Sequence, residues 1–224
     1  MGPMSLRALI LDFDGTLVDS EGLHERALRE AVSALGLDVP PGRYIGLPDR
    51  DALADVLLSA GREPSESVLA ALLEQKTAAA KRLWTLGAAP AYPGAVELAR
   101  GAKAAGWKVA VCTAALREEC EPVLEHIGIT PLLDAFTTAD DVSRSKPDPS
   151  CYTLTADRLG VRAGACVAIE DSHAGVRAAA GAGCRVIGVG HTTARERLEA
   201  AHLHVGRIGE VTIARMISLL EEHG

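Results

Sequence analysis

The pattern of apolar residues changes character along the chain. It opens with an apolar run at Leu6–Leu11 that stops at a turn signal, which is typical of a strand buried in a parallel sheet. From about residue 19 to 89 the apolar residues recur only with helical period, and glycines or a loop rich in proline and glycine interrupt them. The sequence therefore predicts three helices and no strand here, at Leu23–Leu35, Asp51–Ala60 and Ser65–Leu86.

Beyond residue 91 short apolar runs alternate with amphipathic stretches. The runs predict strands at Trp107–Cys112, Ala135–Thr138, Ala165–Ile169, Arg185–Val189 and Leu203–Val205. The amphipathic stretches predict helices at Gly94–Ala105, Leu116–Ile127, Pro149–Leu159, Ala174–Ala180 and Val211–Glu221. Such alternation predicts an α/β protein with a doubly wound parallel sheet. Because the helical stretch interrupts this pattern directly after the first strand, we expect a core of residues 1–18 and 90–224 with an inserted helical domain of residues 19–89.

Composition and charge narrow the possible partners. The chain has 224 residues, of which 48% are hydrophobic and 24% charged, and its formal net charge is −7. That charge argues against a nucleic acid or an anionic membrane as partner, because both repel an acidic surface. A phosphate site in this chain would have to be built locally from a few basic side chains and backbone N–H groups.

The sequence also indicates in which cellular compartment the protein is found. No apolar run approaches the roughly 20 residues that cross a bilayer, and the first residues lack the features of a signal peptide. The five cysteines form an odd number with no C-x-x-C spacing, which excludes the usual zinc patterns and a complete disulfide framework. We therefore expect a cytoplasmic protein, either a monomer or a weak dimer.

Two carboxylates follow the first predicted strand. Asp12 and Asp14 stand at i and i+2, so both side chains point to the same side while the backbone stays extended. Gly15 then permits a sharp exit from the strand. A single Asp at such a position is often the N-cap of the next helix, but two like charges this close need a cation between them or a proton on one of them. The pair therefore favours chemistry over capping.

Four further polar residues lie at three predicted strand ends or loops. Thr113 follows a predicted strand, where its hydroxyl would either bind a phosphoryl oxygen or cap the next helix. Lys146 precedes Pro147, which holds it out of helical conformation; the alternative is an exposed, solubilising lysine. Glu170 and Asp171 close another predicted strand. Since parallel strands end at one edge of the sheet, we expect these groups to form one site with Asp12 and Asp14.

The stretch LRALILDFDGTLVDSE resembles the nucleophile motif of the haloacid dehalogenase-like (HAD) superfamily, whose members have a Rossmann-like core and are mostly Mg²⁺-dependent phosphohydrolases. The resemblance covers essentially the whole chain and implies that the inserted helical domain is a cap. It also implies that Asp12 attacks phosphorus to form an aspartyl-phosphate, while Asp14 acts as general acid and base. The Mg²⁺ ligands would be the Asp12 carboxylate, the Asp14 backbone carbonyl and Asp171.

The remaining positions match the other motifs of this family in order. Thr113 matches the hydroxyl residue that binds a phosphoryl oxygen, and Lys146 matches the lysine of K-P-x-P, whose ammonium offsets charge between nucleophile and phosphate. Glu170 would be a metal ligand or a neighbour of one. Many phosphatases of the family carry Asn where this chain has Ala114, so one side-chain donor to substrate is missing.

Within the superfamily the chain is similar to the β-phosphoglucomutase-like branch, which includes phosphoglycolate phosphatase-like enzymes. His24 and Lys76 match mutase residues that assist proton handling and bind the distal phosphate, although both also fit a solvated helix face. Gly46–Arg50 aligns with the specificity loop of the cap, but Asp49 stands where the mutases carry arginine, with Arg50 adjacent. Thr16 is the commoner choice in phosphatases.

These observations predict a Mg²⁺-dependent phosphatase acting on a small phosphorylated metabolite such as a sugar phosphate. The nearest alternative is a phosphomutase that passes the phosphoryl group from Asp12 to a sugar hydroxyl rather than to water. A more remote alternative is a metabolite-binding module without catalysis. It would be favoured if the nucleophile, acid, lysine or metal carboxylate were missing, and the sequence has all four.

Overall fold

The computed structural model describes residues 6–44, 47, 49–86 and 89–222. The chain forms two compact units. One comprises Met1–Asp19 and Pro90–Gly224, and the other comprises Ser20–Ala89. They are the α/β unit and the helical unit, respectively.

A parallel sheet of six strands forms the centre of the α/β unit, as far as the described residues go. The strands are β1 (Ala8–Leu11), β2 (Lys108–Cys112), β3 (Ala135–Thr137), β4 (Cys166–Glu170), β5 (Arg185–Val189) and β6 (Leu203–Val205). Their order across the sheet is β3-β2-β1-β4-β5-β6. All pairings are parallel, so the predicted doubly wound α/β fold is confirmed.

The sheet is buried because helices cover it. The helices of this unit are α4 (Ala95–Ala104), α5 (Arg117–His126), α6 (Ser150–Leu159), α7 (His173–Gly181) and α8 (Ile213–Glu221). Ala8 and Ile10 of β1 belong to a core cluster with residues of α6 and α7, whereas α4 and α8 contact one another and the sheet. All four residues of β1 are fully buried, which explains why the strand reads as an apolar run without alternation.

The helical unit contains α1 (Glu21–Ser33), α2 (Asp49–Ser59) and α3 (Glu66–Thr85). Its core is one apolar cluster, to which α1 contributes Leu28 and Val32, α2 contributes Leu53 and α3 contributes Leu69. Each of these helices buries one stripe of its surface. The apolar residues that recur with helical period in the sequence form that stripe.

Element boundaries differ from the prediction by one or two residues. Helix α2 begins at Asp49 rather than Asp51, because two acidic residues in its first turn interact favourably with the positive end of the helix dipole. Strand β4 begins at Cys166 and runs through Glu170, since Ala165 ends a short 3₁₀ turn. The last predicted helix begins two residues late, at Ile213, after the N-cap Thr212.

Two further findings concern the cysteines and the apolar character of the helices. All five cysteines are buried and none forms a disulfide. Within the described part of the chain, no helix combines the length and the apolar character that a membrane span requires.

Candidate active site

The strand order of the sheet reverses between β1 and β4, and such a reversal opens a ligand crevice at the carboxyl edge. The two strands pair in register with Leu11 opposite Ile169. The Asp12 N–H then donates to the Ile169 carbonyl at 3.0 Å, which extends the pairing by one residue. Asp12 and Glu170 therefore lie side by side at this edge.

Three carboxylates meet there. Asp12, Glu170 and Asp171 are all buried, and one oxygen of each lies within 4.8 Å of the others. Asp14, two residues beyond Asp12, is half-buried. Acidic groups so close in a buried place need compensating positive charge.

Lys146 supplies part of that charge. Its Nζ donates to Asp12 Oδ1 at 2.5 Å, to Glu170 Oε1 at 2.6 Å and to the Cys112 carbonyl at 3.1 Å. These bonds use all three donors of the ammonium group. The side chain is only 7% exposed, so Lys146 is a buried lysine that links the ends of β1, β2 and β4 rather than a solubilising surface residue.

Glu170 is held from several sides. The Tyr152 hydroxyl donates to its Oε1 at 2.7 Å, and the Ser172 hydroxyl donates to its Oε2 at 3.2 Å. Gly175 leaves room for this carboxylate, because a Cβ there would lie 1.9 Å from Glu170 Oε1. The sequence prediction did not include Tyr152 or Ser172; only the packing of α6 and α7 against β4 reveals their role.

Asp171 is fixed by two threonines. Thr16 Oγ1 donates to its Oδ1 at 3.1 Å, and Thr192 Oγ1 donates to its Oδ2. Gly15 approaches the same carboxylate with φ +72°, and a Cβ on it would lie 2.2 Å from Asp171 Oδ2. Thr192 was not predicted, because a threonine after β5 carries no motif that marks it.

The turn after Asp14 is tied to other segments through His191. The His191 Nδ1–H donates to the Gly15 carbonyl at 2.8 Å, and Nε2 accepts from the Ile208 N–H at 3.0 Å. The ring also stacks on Tyr92, with centroids 3.9 Å apart. The bond accepted at Nε2 requires the neutral ring, and burial lowers the pKa of His191 in the same direction. This residue too was missed in the sequence.

The cluster contains more negative than positive charge, and this excess shifts the pKa values of its members. Burial and then Glu170 raise the pKa of Asp12 well above its ordinary value, against the opposing effect of Lys146. Burial and then Glu170 also raise the pKa of Asp171, to about 7. Burial would lower the pKa of Lys146, but Asp12 and Glu170 together raise it well above its ordinary value, so this group stays charged.

Thr113 and Ala114 lie where β2 ends. Thr113 is buried, its N–H donates to the Thr137 carbonyl at 3.0 Å, and its hydroxyl oxygen accepts from the Ala115 N–H at 3.0 Å. The hydroxyl therefore organises the turn that leaves the strand, and its own hydrogen can still serve as a donor. Ala114 is exposed and offers only its backbone.

In the helical unit the structure brings together His24, Lys76 and Asp49. Lys76 on α3 is only 3% exposed, so it is not a solvated residue on a helix face. Its Nζ donates to Asp49 Oδ2 at 2.7 Å and to His24 Nδ1 at 3.0 Å. Burial and the Lys76 charge lower the pKa of His24 to about 4.

Arg50, the other basic residue singled out in this unit, is engaged elsewhere. Its guanidinium on α2 forms an ion pair with Glu66 on α3, and its side chain is about half exposed. Of the predicted specificity loop Gly46–Arg50, Gly46 and Pro48 lie outside the described residues.

Comparison with known proteins decides the family. The haloacid dehalogenase-like hydrolase family model matches residues 6–183, which is most of the chain. The chain belongs to the haloacid dehalogenase-like hydrolases. It is thus a member of an enzyme family, as the motifs predicted.

Relatives of this HAD-like hydrolase share most of its length. Protein CbbY of Rhodobacter capsulatus is 32% identical over 82% of this chain and 85% of its own. The validoxylamine A 7′-phosphate phosphatase of Streptomyces hygroscopicus subsp. limoneus is 32% identical over 92% of this chain and 95% of its own. A crystal structure of a CbbY variant from Rhodobacter sphaeroides in complex with xylulose 1,5-bisphosphate has a TM-score of 0.71 at 29% identity, covering 94% of this chain and 99% of that one.

The acidic cluster of this HAD-like hydrolase fits a divalent metal ion. Carboxylate oxygens are the ligands that Mg²⁺ prefers, and Mg²⁺ needs only one or two of them beside water and substrate. The three carboxylates bring three negative charges against the single positive charge of Lys146. A dication would balance them, and would favour the ionised form of Asp171, whose pKa is otherwise raised.

Proposed function

We propose that this chain is a Mg²⁺-dependent phosphatase that hydrolyses a small phosphomonoester, such as a sugar phosphate, through an aspartyl-phosphate on Asp12. The observation that carries the proposal is the buried cluster in which Lys146 contacts both Asp12 and Glu170, with Asp171 beside them, at the switch point of the sheet. Family membership and the validoxylamine phosphatase relative support the same reaction class.

Asp12 is proposed to act as the nucleophile. One of its carboxylate oxygens bonds to phosphorus while the ester P–O bond breaks, and the leaving oxygen takes a proton from Asp14. In the second step Asp14 accepts a proton from water as the water oxygen bonds to phosphorus. The acyl phosphate bond then breaks, which releases inorganic phosphate and restores Asp12 and Asp14 to their starting protonation states.

Positive charge and donors around Asp12 let an anion approach it. The Lys146 ammonium contacts Asp12 directly and offsets charge between that carboxylate and a phosphate dianion. The Thr113 hydroxyl is proposed to donate to a phosphoryl oxygen. Bound Mg²⁺, held by the carboxylates of Asp12 and Asp171 and by the Asp14 carbonyl, would supply further charge neutralisation. Glu170 is proposed to act near this ion as a partner of Lys146.

The helical unit is proposed to act as the cap that recognises the rest of the substrate, through His24, Arg50 and Lys76.

The phosphomutase remains the second candidate, because the first half of its reaction is the same. A mutase needs a cation for the distal phosphate of its substrate. Because Lys76 is already paired with Asp49, the chain favours hydrolysis over phosphoryl transfer to a sugar.

The five buried, free cysteines support the expected cytoplasmic location.

The test is phosphate release from a panel of small phosphomonoesters in the presence of Mg²⁺. The panel contains hexose phosphates, 2-deoxy sugar phosphates, phosphoglycolate and β-glucose 1-phosphate, the last also assayed for conversion to the 6-phosphate. We expect release that disappears with a chelator and with Asp12→Asn, a variant of nearly the same size that lacks the charge. Circular dichroism of Asp12→Asn establishes that the variant is folded.

Isomerisation of β-glucose 1-phosphate without net release would instead identify a mutase. Absence of both activities in folded protein with Mg²⁺ would contradict the proposed function and favour the metabolite-binding module.

A further inference from the structure

The turn that follows Asp12 and Asp14 contains a residue with little conformational restraint of its own. Gly15 has φ +72°, in the left-handed region that favours glycine. Its backbone connects Asp14, the proposed acid and base, to Thr16, whose hydroxyl donates to Asp171. Because glycine has no side chain that could pack, the direction of this backbone depends on the hydrogen bonds that Gly15 itself makes.

Both backbone groups of Gly15 are hydrogen-bonded. Its N–H donates to the Val18 carbonyl at 3.0 Å, which orients the planar peptide group between Asp14 and Gly15. Its carbonyl accepts from His191 Nδ1 at 2.8 Å, which orients the next peptide group. The first bond lies within the turn, whereas the second comes from a residue 176 positions along the chain. His191 therefore connects the turn to the loop that follows β5.

The His191 ring is itself held in one orientation. A carbonyl can only accept, so Nδ1 carries the proton, and Nε2 accepts from the Ile208 N–H at 3.0 Å. The bond at one ring nitrogen determines which nitrogen is protonated, and here both bonds require the same tautomer. The ring also stacks on Tyr92, at an interplanar angle of 27°. His191 thus presents its N–H to Gly15 from a fixed direction.

We infer that His191 is a positioning residue, which holds the Gly15 carbonyl and thereby sets the place from which Asp14 takes a proton from water. The inference rests on the proposed function and adds to it a residue of the loop after β5. Asp14 directly precedes Gly15, so a shift of the turn moves the Asp14 carboxylate with it. Misplacing a reacting group by about 1 Å costs on the order of a hundredfold in rate.

The inference concerns one of the two chemical steps. Acetyl phosphate carries a good leaving group, so transfer of its phosphoryl group to Asp12 requires no proton from Asp14. Hydrolysis of the aspartyl-phosphate does require Asp14, as the base that accepts a proton from water. Loss of the bond from His191 should therefore slow hydrolysis and leave transfer unchanged, whereas a general loss of structure would slow both steps.

Three substitutions separate the contacts of His191. His191→Phe keeps an aromatic ring beside Tyr92 but removes both hydrogen bonds. His191→Gln keeps a side-chain oxygen that can accept from the Ile208 N–H, and His191→Asn keeps a side-chain N–H near the position of Nδ1. His204→Phe is the matched control, because His204 in β6 is also half-buried and also donates to a backbone carbonyl, that of Leu198 at 2.9 Å.

The measurement is a single turnover in which protein with Mg²⁺ is in excess over acetyl phosphate. Samples are quenched in acid at successive times, and the phosphoryl group on the Asp12 peptide is quantified by mass spectrometry. For His191→Phe and His191→Gln we expect formation of the phosphorylated protein within about twofold of the wild-type rate and decay slowed at least about tenfold. His191→Asn should restore decay to within about threefold, and His204→Phe should match the wild type.

Two kinetic results would overturn the inference: decay at the wild-type rate in His191→Phe, or formation and decay slowed alike in all three variants. Hydrogen exchange measured by mass spectrometry adds a readout that does not depend on activity. The peptide that contains Gly15 should exchange faster in His191→Phe than in His204→Phe, and equal exchange would also overturn the inference.

Asp14→Asn protein is the reference for the proposed function. If its phosphorylated form persists while that of His191→Phe decays normally, the inference fails and the proposed function stands. If neither Asp14→Asn nor wild-type protein becomes phosphorylated, the proposed function fails. The hydrogen exchange result then supports or overturns the link between His191 and the turn.

Discussion

At the scale of single residues, Asp171 shows how the site keeps a costly group in place. Its carboxylate is buried beside Glu170, and burial together with this neighbour raises its pKa to about 7. Hydrogen bonds from Thr16 and Thr192 oppose that effect by stabilising the ionised form. They also fix the direction in which the carboxylate points, which would orient Asp171 for its proposed role as a metal ligand.

Replacing Thr192 by valine should therefore weaken metal binding. The variant keeps the shape of the side chain but removes the donor to Asp171, and we expect the affinity for Mg²⁺ to fall at least about tenfold. Isothermal titration calorimetry with Mg²⁺ measures this without reference to activity. Thr193→Val is the control, since the neighbouring Thr193 hydroxyl contacts Thr192 rather than Asp171. Equal affinities in the two variants would show that Thr192 does not support the metal site.

At the scale of elements, the sequence predicted those features that depend only on local residue patterns. The apolar run of β1 is continuous because the strand is buried on both faces, and the Asp12–Asp14 spacing is local. Tyr152 and Thr192 escaped prediction because they reach Glu170 and Asp171 from α6 and from the loop after β5, elements that only the folded sheet brings together. The start of α2 was misplaced because the favourable acidic first turn carries no apolar residue.

Gly175 in helix α7 allows a test of how closely this helix packs against Glu170 at the end of β4. Gly175→Ala would place a Cβ 1.9 Å from Glu170 Oε1, and Lys146 and Tyr152 hold that carboxylate so that it cannot move aside cheaply. We expect the free energy of unfolding to fall by about 1–3 kcal/mol, as in other overpacked cores. Gly181→Ala, in the same helix, places its Cβ 3.6 Å from Pro149 and should leave stability unchanged or slightly raised. Urea unfolding of both variants measures the difference; equal stabilities would contradict the close fit.

The burial of His24 on α1, next to the charge of Lys76 on α3, predicts a pH dependence of stability. The pKa of His24 falls from 6.5 to about 4 on folding, so between these values the unfolded chain binds a proton that the folded chain does not. The contribution of His24 to stability is therefore full above pH 6.5 and is lost as the pH falls towards 4. His24→Gln keeps an acceptor for Lys76 but does not titrate. Denaturant unfolding at several pH values should show the wild-type protein losing more stability than the variant in this window; parallel curves would rule the effect out.

At the scale of the whole molecule, the proposed function requires an acidic chain to bind an acidic substrate. The net charge of −7 repels anions at long range, so under this proposal binding depends on local groups such as Lys146 and on the proposed Mg²⁺ ion. The doubly wound order explains where those groups meet, because the ends of β1, β2 and β4 converge at the switch point. Fold class and the positions of the core motifs could thus be predicted, whereas charge compensation at Lys76 depends on packing within the helical unit and could not.

Phosphorylation of Asp12 is the step on which the proposed function depends, and trapping the phosphorylated protein tests it most directly. Asp14→Asn protein with Mg²⁺ is mixed with acetyl phosphate, quenched in acid, digested and mapped by mass spectrometry. Acetyl phosphate has a leaving group that needs no acid, whereas release of phosphate needs the Asp14 base, so the intermediate should accumulate. We predict one phosphoryl group on the peptide that contains Asp12, absent from the Asp12→Asn, Asp14→Asn double variant. A peptide that stays unmodified, or a phosphoryl group on another residue, would contradict the account.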